Sequence, residues 1–247
     1  MIKTKTKEEL ETMRRAGAIL AKILNYLRAV IRPGISTKEL EIIADEQFQR
    51  YKVVSAFKGY KGFPASICTS INEEVVHGIP SERQLKEGDI ISLDLGIRLN
   101  GLYCDMAYTQ PVGKIKTDVQ RLIDVTKESL MKGIKQARIN NRVSDISYAV
   151  QTYVESNGFS TVRDFVGHGI GRQLHEEPQI PNFGRPNCGD VIREGMVFAI
   201  EPMVNMGTWE VEILENGWTA VTKDRKPSAH FEHTVAILES GAVILTQ

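Results

Sequence analysis

The sequence predicts an α+β protein built from two similar halves, in which helices flank antiparallel sheet. Three features predict this architecture. Two pairs of helical patterns each precede strand-like runs, Asn100-Gly101 gives a hairpin signal, and one ten-residue motif occurs twice, at residues 85–94 and 192–201. The two copies align without gaps, and helices separated from strands along the chain are typical of α+β folds.

The first half begins with two helices whose N-termini carry recognisable signals. Thr6 and Glu9 form a capping-box pattern, and Ser36 and Glu39 form a second one. Apolar residues follow each box at helical spacing. Residues 52–66 are rich in glycine and aromatic residues, so a loop is expected there.

Further elements follow in order along the chain. A short strand is expected at residues 66–71. Thr117 is expected to cap a third helix, and Ser144 a fourth, which ends at Asn157-Gly158. The remainder, residues 161–247, has the pattern of strands and loops.

The Asn100-Gly101 pair joins two strand-like runs and predicts a two-residue turn, because both turn positions need positive φ. Facing residue numbers then sum to 201, which places Asp94 and Asp105 on one face as diagonal neighbours. Their backbones would lie roughly 7–8 Å apart. Two carboxylates so placed repel each other, and a cation between them removes that repulsion. Taken alone, such a pair is more simply explained as two aspartates on the wet face of a hairpin.

The repeat changes that interpretation, because it also aligns acidic residues and histidines. The aligned pairs are Asp94 with Glu201, Asp105 with Glu232, and His77 with His168. Packing of the halves about a pseudo-two-fold axis would bring these side chains together. An oxygen-rich set of this kind has enough charge for two divalent ions and suits Mn, Fe or Co at least as well as Zn. Two metals about 3.5–4 Å apart support hydrolytic chemistry.

A second segment, residues 166–178, contains His168 and His175 among several glycines. The glycines argue against a helix, so one histidine can bind metal while the other meets substrate. Their spacing does not match a dinucleotide-binding loop. For a lone histidine such as His77 or His230, a structural role with a satisfied ring is the simpler expectation. Glu176 and Glu177 are expected to be loop or capping charges.

The composition is that of an ordinary soluble protein, with 42% hydrophobic and 25% charged residues. A formal net charge of zero argues against nucleic acid as the main partner. No apolar run reaches the ~20 residues that span a membrane, and the charged start lacks a secretory signal. Three widely spaced cysteines favour a reducing compartment. We expect a cytoplasmic protein with one domain over residues 1–247, whose internal halves lie at roughly 1–112 and 113–247.

Over essentially its whole length the chain resembles the bacterial-type, type I methionine aminopeptidases. The motifs that carry the resemblance are Asp94, Asp105, His168, Glu201 and Glu232 in their family contexts, with His77 in HGIP and His175 in HEEP. The resemblance implies the pita-bread fold and hydrolytic removal of the N-terminal methionine from nascent chains, with a small second residue preferred. It also implies two divalent metal ions, Co, Mn, Fe or Zn. In that arrangement Asp105 and Glu232 bridge the ions, Asp94 completes one, and His168 with Glu201 completes the other.

The resemblance also assigns the remaining site residues. Glu201 is the expected proton shuttle, and His77 and His175 are expected to contact the substrate near the scissile bond. The pocket for the methionine side chain is expected from Tyr60, Phe63, Cys68 and Trp218, with Leu174 where relatives can carry an aromatic residue. A monovalent cation is implied near Asn72, Glu74 and Ser228, where Glu74 contributes a backbone group at most. Ribosome contact and a monomeric state complete the expected partners.

Two alternative functions are considered beside the aminopeptidase activity. An X-Pro peptidase of the same fold usually carries an extra N-terminal domain, which this sequence does not show. A non-catalytic peptide-binding module would typically lose metal ligands, whereas five candidate ligands stand here. The short spacing between Glu201 and Glu232 also leaves no room for the long insertion of the type II enzymes.

Overall fold

The structure, a computed structural model, describes residues 2–247 and contains two pairs of helices beside antiparallel strands. The helices are Lys7–Val30 (α1), Thr37–Tyr51 (α2), Thr117–Gln136 (α3) and Val143–Ser156 (α4). The strands are Val54–Ser55 (β1), Cys68–Ile71 (β2), Glu74–Val76 (β3), Ile90–Leu99 (β4), Leu102–Pro111 (β5), Ser160–Thr161 (β6), Gly167–Gly169 (β7), Glu176–Ile180 (β8), Val197–Ile200 (β9), Met203–Asn205 (β10), Val211–Ile213 (β11), Ala220–Thr222 (β12), Ser228–His230 (β13), His233–Leu238 (β14) and Gly241–Ile244 (β15).

The first two helices begin at the predicted capping boxes. The Glu9 backbone N–H donates to Thr6 Oγ1 at 3.3 Å, and the Thr6 N–H donates to the Glu9 carboxylate at 2.8 Å. Ser36 and Glu39 make the same reciprocal pair at 3.1 and 2.7 Å. Each box satisfies two backbone donors at a helix end that would otherwise lack partners. Both predictions are therefore confirmed.

The predicted caps of the second helix pair are wrong. Helix α3 begins at Thr117 itself, so its hydroxyl lies inside the first turn and Lys116 occupies the N-cap position without a side-chain cap. Helix α4 begins one residue before Ser144, whose hydroxyl accepts a hydrogen bond from the Cys188 N–H at 2.6 Å instead. Asp145 serves that helix end by accepting from the Arg142 N–H at 2.7 Å.

The central hairpin has the predicted register. Asp94 faces Ala107 and Gly96 faces Asp105 across β4 and β5, and both turn residues have positive φ. Strands β1 and β2 pair with successive parts of the other edge of β4. The short strand expected at residues 66–71 is β2, and the loop before it contains one short 3-10 turn at Tyr60–Gly62.

The second half repeats this arrangement with shorter strands. Strand β9 pairs with β14 as β4 pairs with β5, inside a sheet of order β15-β14-β9-β7-β8. The halves join where β5 meets β14: the Asp105 N–H donates to Thr234 Oγ1 and the Glu232 N–H donates to the Ala107 carbonyl, both at 2.9 Å. Asp105 and Glu232 are equivalent in the repeat. Equivalent parts of the two halves therefore meet, as expected for packing about a pseudo-two-fold axis.

Each half supplies its own apolar core. Helix α1 buries Met13, Leu20 and Leu24 completely and lies against β4 and β5. Helices α3 and α4 cover Phe198 and Val235 of the second sheet. The α+β prediction is confirmed, and residues 157–247 contain strands and loops without a helix, as expected. None of the helices within residues 2–247 has the length and apolar character that a bilayer crossing requires.

Candidate metal centre

A cavity of about 300 Å³ lies where the two halves meet. Its walls include every residue to which the family resemblance assigns a role in divalent-metal binding, catalysis or substrate contact. These are Asp94, Asp105, His168, Glu201 and Glu232, together with His77, His175, Tyr60, Phe63, Cys68 and Trp218. Further wall residues are Phe57, Lys61 and Leu174. The structure thus brings together residues that span some 170 positions of the chain.

The carboxylates reach the cavity from paired strands. Asp94 and Asp105 project from the hairpin of β4 and β5, Glu201 directly follows β9, and Glu232 precedes β14. Gly96 faces Asp105 across the hairpin and leaves room for the Asp105 carboxylate because it has no side chain. A Cβ atom at that position would lie 3.3 Å from Asp105 Oδ1 and 2.7 Å from a Phe57 ring carbon. The hairpin therefore needs a glycine there to hold the carboxylate and the aromatic wall side by side.

Ligand atoms of Asp105, His168 and Glu232 all lie within 4.8 Å of one another. His168 Nδ1 is 2.9 Å from the Gly169 carbonyl oxygen, so Nδ1–H is the donor and Nε2 carries the free lone pair. That Nε2 atom lies 3.5 Å from Glu201 Oε1. A histidine whose other nitrogen is held by a backbone carbonyl is the arrangement that metal-binding histidines favour.

The site is electrostatically costly without a cation. Loss of hydration raises the pKa of Asp94 to about 7, and it raises the pKa values of Asp105, Glu201 and Glu232 well above their usual range. The neighbouring carboxylates raise those of Asp105 and Glu232 further, because each disfavours a second negative charge. Burial also lowers the pKa of His168 to about 4, so at neutral pH this ring is an uncharged ligand.

Two carboxylate oxygens, Asp94 Oδ1 and Glu232 Oε1, are buried without a hydrogen-bond partner among residues 2–247. Buried polar atoms in native proteins normally have partners, so these orphaned oxygens indicate a missing positive group. Four carboxylates and one neutral imidazole fit divalent cations that accept oxygen and nitrogen ligands, such as Mn, Fe, Co or Zn. The residues present therefore fit a metal centre.

His175 and His77 lie beside the carboxylate cluster. The ring of His175 is 4.2 Å from that of His168, stacks on Tyr60, and has its Nδ1 2.8 Å from the Tyr60 hydroxyl. The pKa of His175 is lowered, first by desolvation and then by the nearby His168 and Lys61. His77 has a left-handed backbone, with φ of 60°, and its ring contacts Phe165 edge-on. Burial lowers its pKa to about 4, so both rings are neutral at pH 7.

The remaining wall of the cavity is apolar. Phe63 and Trp218 meet edge-on with ring centres 5.2 Å apart, and Tyr60 closes the side towards His175. Cys68 pairs with Asp94 across β2 and β4, and burial raises the pKa of its thiol, so it is a neutral wall residue. Phe57 extends this wall and was missed by the sequence analysis. The signal was present, because Phe57 belongs to the same glycine- and aromatic-rich loop.

His230 is the second functional candidate that sequence reasoning missed. The expectation of a structural histidine with a satisfied ring is wrong: its side chain is buried, and neither ring nitrogen has a hydrogen-bond partner within residues 2–247. Its Nε2 lies 3.5 Å from Glu201 Oε2. The available signal was its place two residues before Glu232, since alternate residues of extended chain share a face.

Other predicted residues lie outside the cavity wall. Glu176 and Glu177 begin strand β8, so the expectation of loop or capping charges is wrong, and Glu176 is paired with Lys5 at 2.7 Å. The Asn72 carbonyl accepts a hydrogen bond from the Ser228 N–H at 2.8 Å, so these two residues of the predicted cation site are neighbours. The Glu74 carboxylate is occupied by the Ile71 N–H and by Arg83, which leaves only its backbone for a cation.

Comparisons with known proteins show which family this chain is similar to. The model of metallopeptidase family M24 matches residues 11–239. The methionine aminopeptidase of Clostridium perfringens is 54% identical over 246 residues, covering 100% of this chain and 99% of its own. The crystal structure of a methionine aminopeptidase from Thermotoga maritima superimposes with a TM-score of 0.99 at 49% identity, over 100% of both chains.

A more distant structure agrees in fold alone. The prolidase of Pyrococcus horikoshii has a TM-score of 0.80 at 19% identity, over 99% of this chain and 63% of its own. The pita-bread fold implied by the sequence resemblance is therefore confirmed. With the family model spanning nearly the whole chain and a relative identical at more than half of its positions, this protein is a member of metallopeptidase family M24.

Proposed function

We propose that this chain is a metal-dependent aminopeptidase that hydrolytically removes the N-terminal methionine of new polypeptides and prefers a small second residue. The observation that carries the proposal is a buried cluster of four carboxylates and a neutral histidine at one end of an aromatic cavity. High identity to proteins named methionine aminopeptidase supports it. The 19% identity to a prolidase gives no comparable support for X-Pro cleavage.

The proposed ligand set follows the family arrangement. Two divalent ions would be held by Asp105 and Glu232 together, with Asp94 completing one site and His168 and Glu201 completing the other. When bound, such ions polarise a carbonyl group and lower the pKa of water. The raised carboxylate pKa values support this assignment, because a cation removes the repulsion that produces them.

Three other side chains have proposed roles near the scissile bond. Glu201, as well as binding metal, transfers a proton between the attacking water and the leaving amine. His175 Nδ1 lies 2.8 Å from the Tyr60 hydroxyl, and with that hydroxyl as the donor the ring proton would sit on Nε2, from which it can stabilise the developing oxyanion. His77, neutral at working pH, assists at the scissile amide.

The apolar wall is the proposed pocket for the methionine side chain. Tyr60, Phe63, Cys68 and Trp218 line it, with Phe57 and Leu174 beside them. An unbranched thioether adapts to irregular apolar space and makes favourable contacts with aromatic rings. This pocket gives a physical reason for choosing methionine over charged or β-branched first residues.

The wider setting of the enzyme is also a proposal. We infer a monomer that acts in the cytoplasm on nascent chains near the ribosome. A monovalent cation is proposed beside Asn72 and Ser228, held partly by backbone oxygens, since the side chain of Glu74 is already engaged. The absence of net charge supports small peptide ends, not nucleic acid, as ligands.

The test combines metal analysis with peptide hydrolysis. The purified protein is loaded with Mn²⁺ or Co²⁺ and assayed on Met-Ala-Ser, Met-Lys-Ser, Leu-Ala-Ser and X-Pro peptides. We expect release of methionine from Met-Ala-Ser and little cleavage of the others. Equal cleavage of peptides that start with leucine and methionine would show that the methionine assignment is wrong, and cleavage of X-Pro alone would favour the prolidase activity.

Two variants test the assignment of the metal ligands. Asp105→Ala and Glu232→Ala each remove a bridging ligand, so we expect loss of activity together with weaker metal binding. A variant that kept full turnover with unchanged metal stoichiometry would exclude the proposed centre. A protein that bound metal but cleaved no peptide would instead support the non-catalytic binding module.

A further inference from the structure

We propose that His230 is a positioning residue that donates a hydrogen bond from Nε2–H to Glu201 and holds this carboxylate in its metal-binding orientation. The inference rests on the proposed metal-dependent function of the cavity. It adds a residue outside the predicted ligand and catalytic sets.

The main chain of His230 leaves its ring little freedom. Its N–H donates to Thr109 Oγ1 and its carbonyl accepts from the same hydroxyl, both at 2.8 Å. Because Thr109 belongs to β5 of the first half, the two halves together clamp this residue. The ring is 1% exposed, and both nitrogens are unpartnered in the part of the chain that the structure describes. A buried polar ring in a fixed place without partners indicates a role for the unused nitrogens.

Glu201 lies between His168 and His230, which differ in whether the Nδ1 atom of the ring has a hydrogen-bond partner. Its Oε1 is 3.5 Å from His168 Nε2, and its Oε2 is 3.5 Å from His230 Nε2. His168 donates through Nδ1 to the Gly169 carbonyl, which leaves its Nε2 lone pair for a metal. No such bond to Nδ1 of His230 occurs within residues 2–247, so its ring proton is free to sit on Nε2 and face Glu201.

The geometry separates a ligand side and a donor side of the same carboxylate. The group of ligand atoms within 4.8 Å contains His168 together with Asp105 and Glu232 and contains neither Glu201 nor His230, so of the two histidines beside Glu201 only His168 lies with these carboxylates. The Glu201 backbone carbonyl accepts from Asn182 Nδ2 at 3.1 Å, so rotation of the carboxylate is the remaining freedom. The Oε2 to Nε2 distance of 3.5 Å exceeds the upper end of the usual range of about 2.7–3.2 Å by about 0.3 Å, which a small side-chain rotation removes.

The test compares two replacements of His230. His230→Leu removes the donor and fills the space with an apolar side chain, whereas His230→Gln keeps an N–H donor of comparable reach. Binding of Co²⁺ to the metal-free proteins is measured by calorimetry, and the visible absorption of bound Co²⁺ reports the geometry around the ion. We expect His230→Leu to weaken one of the two Co²⁺ sites by about 10- to 100-fold and to change its absorption band. His230→Gln should restore both to near the wild-type values.

Two further variants keep the result interpretable. His230→Ala removes the donor without adding branched bulk, and it should weaken the same site if the leucine variant does not fold. His233→Gln is the matched control: this half-buried histidine directly follows Glu232, but its Nδ1 is 2.9 Å from Thr246 Oγ1. We expect that control to bind both ions normally.

Several outcomes would overturn the inference. Wild-type affinity and spectrum in His230→Leu or His230→Ala would show that the ring does not act on Glu201. Complete loss of one ion in the leucine and glutamine variants alike would make His230 a ligand. Failure of the wild type itself to bind Co²⁺ would reject the proposed function, and with it the positioning role. Normal two-ion binding with no methionine release would reject only the activity.

Discussion

At the scale of single residues, hydrogen bonds separate two histidines that share one segment. His168 and His175 have rings 4.2 Å apart, yet the first is tied through Nδ1 to a backbone carbonyl and the second to the Tyr60 hydroxyl. The first contact directs a lone pair at the carboxylates. In the proposed mechanism the second contact leaves Nε2–H of His175 available to a substrate carbonyl. Proximity alone would not distinguish the proposed ligand from the proposed oxyanion donor.

This division predicts different losses on substitution. His175→Ala should keep its metals and its fold, and its kcat should fall about 10²–10³-fold, the usual effect of removing one oxyanion donor. The loss falls on kcat because the bond is stronger in the transition state than in the ground state. His168→Ala should instead lower metal content. Metal content and kcat are measured on the same preparations. Metal loss in the His175 variant, or unchanged kcat with metals bound, would contradict the assignment.

At the scale of elements, the loop that carries His175 is held by the N-terminal segment. The Lys5 side chain crosses Gly171, where an added Cβ would lie 2.1 Å from its Cε, and reaches the Glu176 carboxylate at 2.7 Å. Both charged side chains are at least nine-tenths buried. The Lys5 N–H also donates to the Gly195 carbonyl at 2.8 Å. The Lys5 side chain and its ion pair with Glu176 therefore form a strap, which fixes the residue that directly follows His175.

Lys5→Met keeps the length of this strap and removes its charge. It leaves a buried carboxylate without its partner, so we expect a loss of about 3 kcal/mol in the free energy of unfolding. A looser His175 should lower kcat about tenfold while metal content stays normal, since misplacement of a catalytic group by about 1 Å can reduce rate strongly. Denaturant unfolding and steady-state kinetics test both effects.

The control for this variant is an ion pair of similar length at the surface. Arg14 and Glu11 pair at 2.6 Å on α1, with more than half of each side chain exposed. Arg14→Met should change the free energy of unfolding by no more than about 0.5 kcal/mol and leave kcat unaltered. Equal losses in the two variants would show that the buried strap has no special role.

Gly96→Ala tests the hairpin as an element. Its Cβ would press on Phe57 and Asp105 from β4, so the wall of the pocket and a bridging carboxylate must both shift. We expect weaker metal binding and a higher KM for Met-Ala-Ser, measured on the metal-loaded protein. Normal values for both quantities would mean that the hairpin tolerates a side chain at this position.

At the scale of the whole molecule, two sets of titratable groups change the free energy of unfolding in opposite directions as pH rises. Without metal, Asp94, Asp105, Glu201 and Glu232 have raised pKa values. Between about pH 4.5 and 6.5 the unfolded chain has lost these protons while the folded chain retains them, so this set makes stability fall as pH rises. The buried histidines act in the opposite sense, because burial lowers their pKa values below about 6.5.

From pH 6.5 upwards the histidines of the unfolded chain lose their remaining protons, and above about pH 7.5 they are neutral in both states and no longer compensate. We therefore expect the free energy of unfolding of the metal-free protein to fall from pH 6.5 to 8.5. The slope should approach about 1.4 kcal/mol per pH unit for each proton that the folded state still holds. Urea unfolding in the presence of a chelator measures this slope. The same series with Mn²⁺ should be flatter, because metal-bound carboxylates are already deprotonated. Rising stability of the metal-free protein over this range would contradict the prediction.

Much of the fold could be predicted because it depends on contacts that are close in sequence. The capping boxes at Thr6 and Ser36 need only residues three apart, and the Asn100-Gly101 turn sets the register of its own strands. The caps predicted at Thr117 and Ser144 were wrong because the helices begin at Thr117 and Val143, so both residues lie inside the first turn. The Ser144 hydroxyl accepts a hydrogen bond from the Cys188 N–H, which is distant in sequence.

The α+β class, the internal repeat, the shared face of Asp94 and Asp105, and the family could all be predicted from the amino-acid sequence. The residues that line the cavity wall could be named from the sequence as well. The contact of His230 with Glu201, and that of Lys5 with the loop beside His175, became visible in the folded molecule. The physical reason is that each of these contacts joins chain segments far apart in sequence. Their meeting depends on how the two halves and the N-terminal segment pack, which no local pattern encodes.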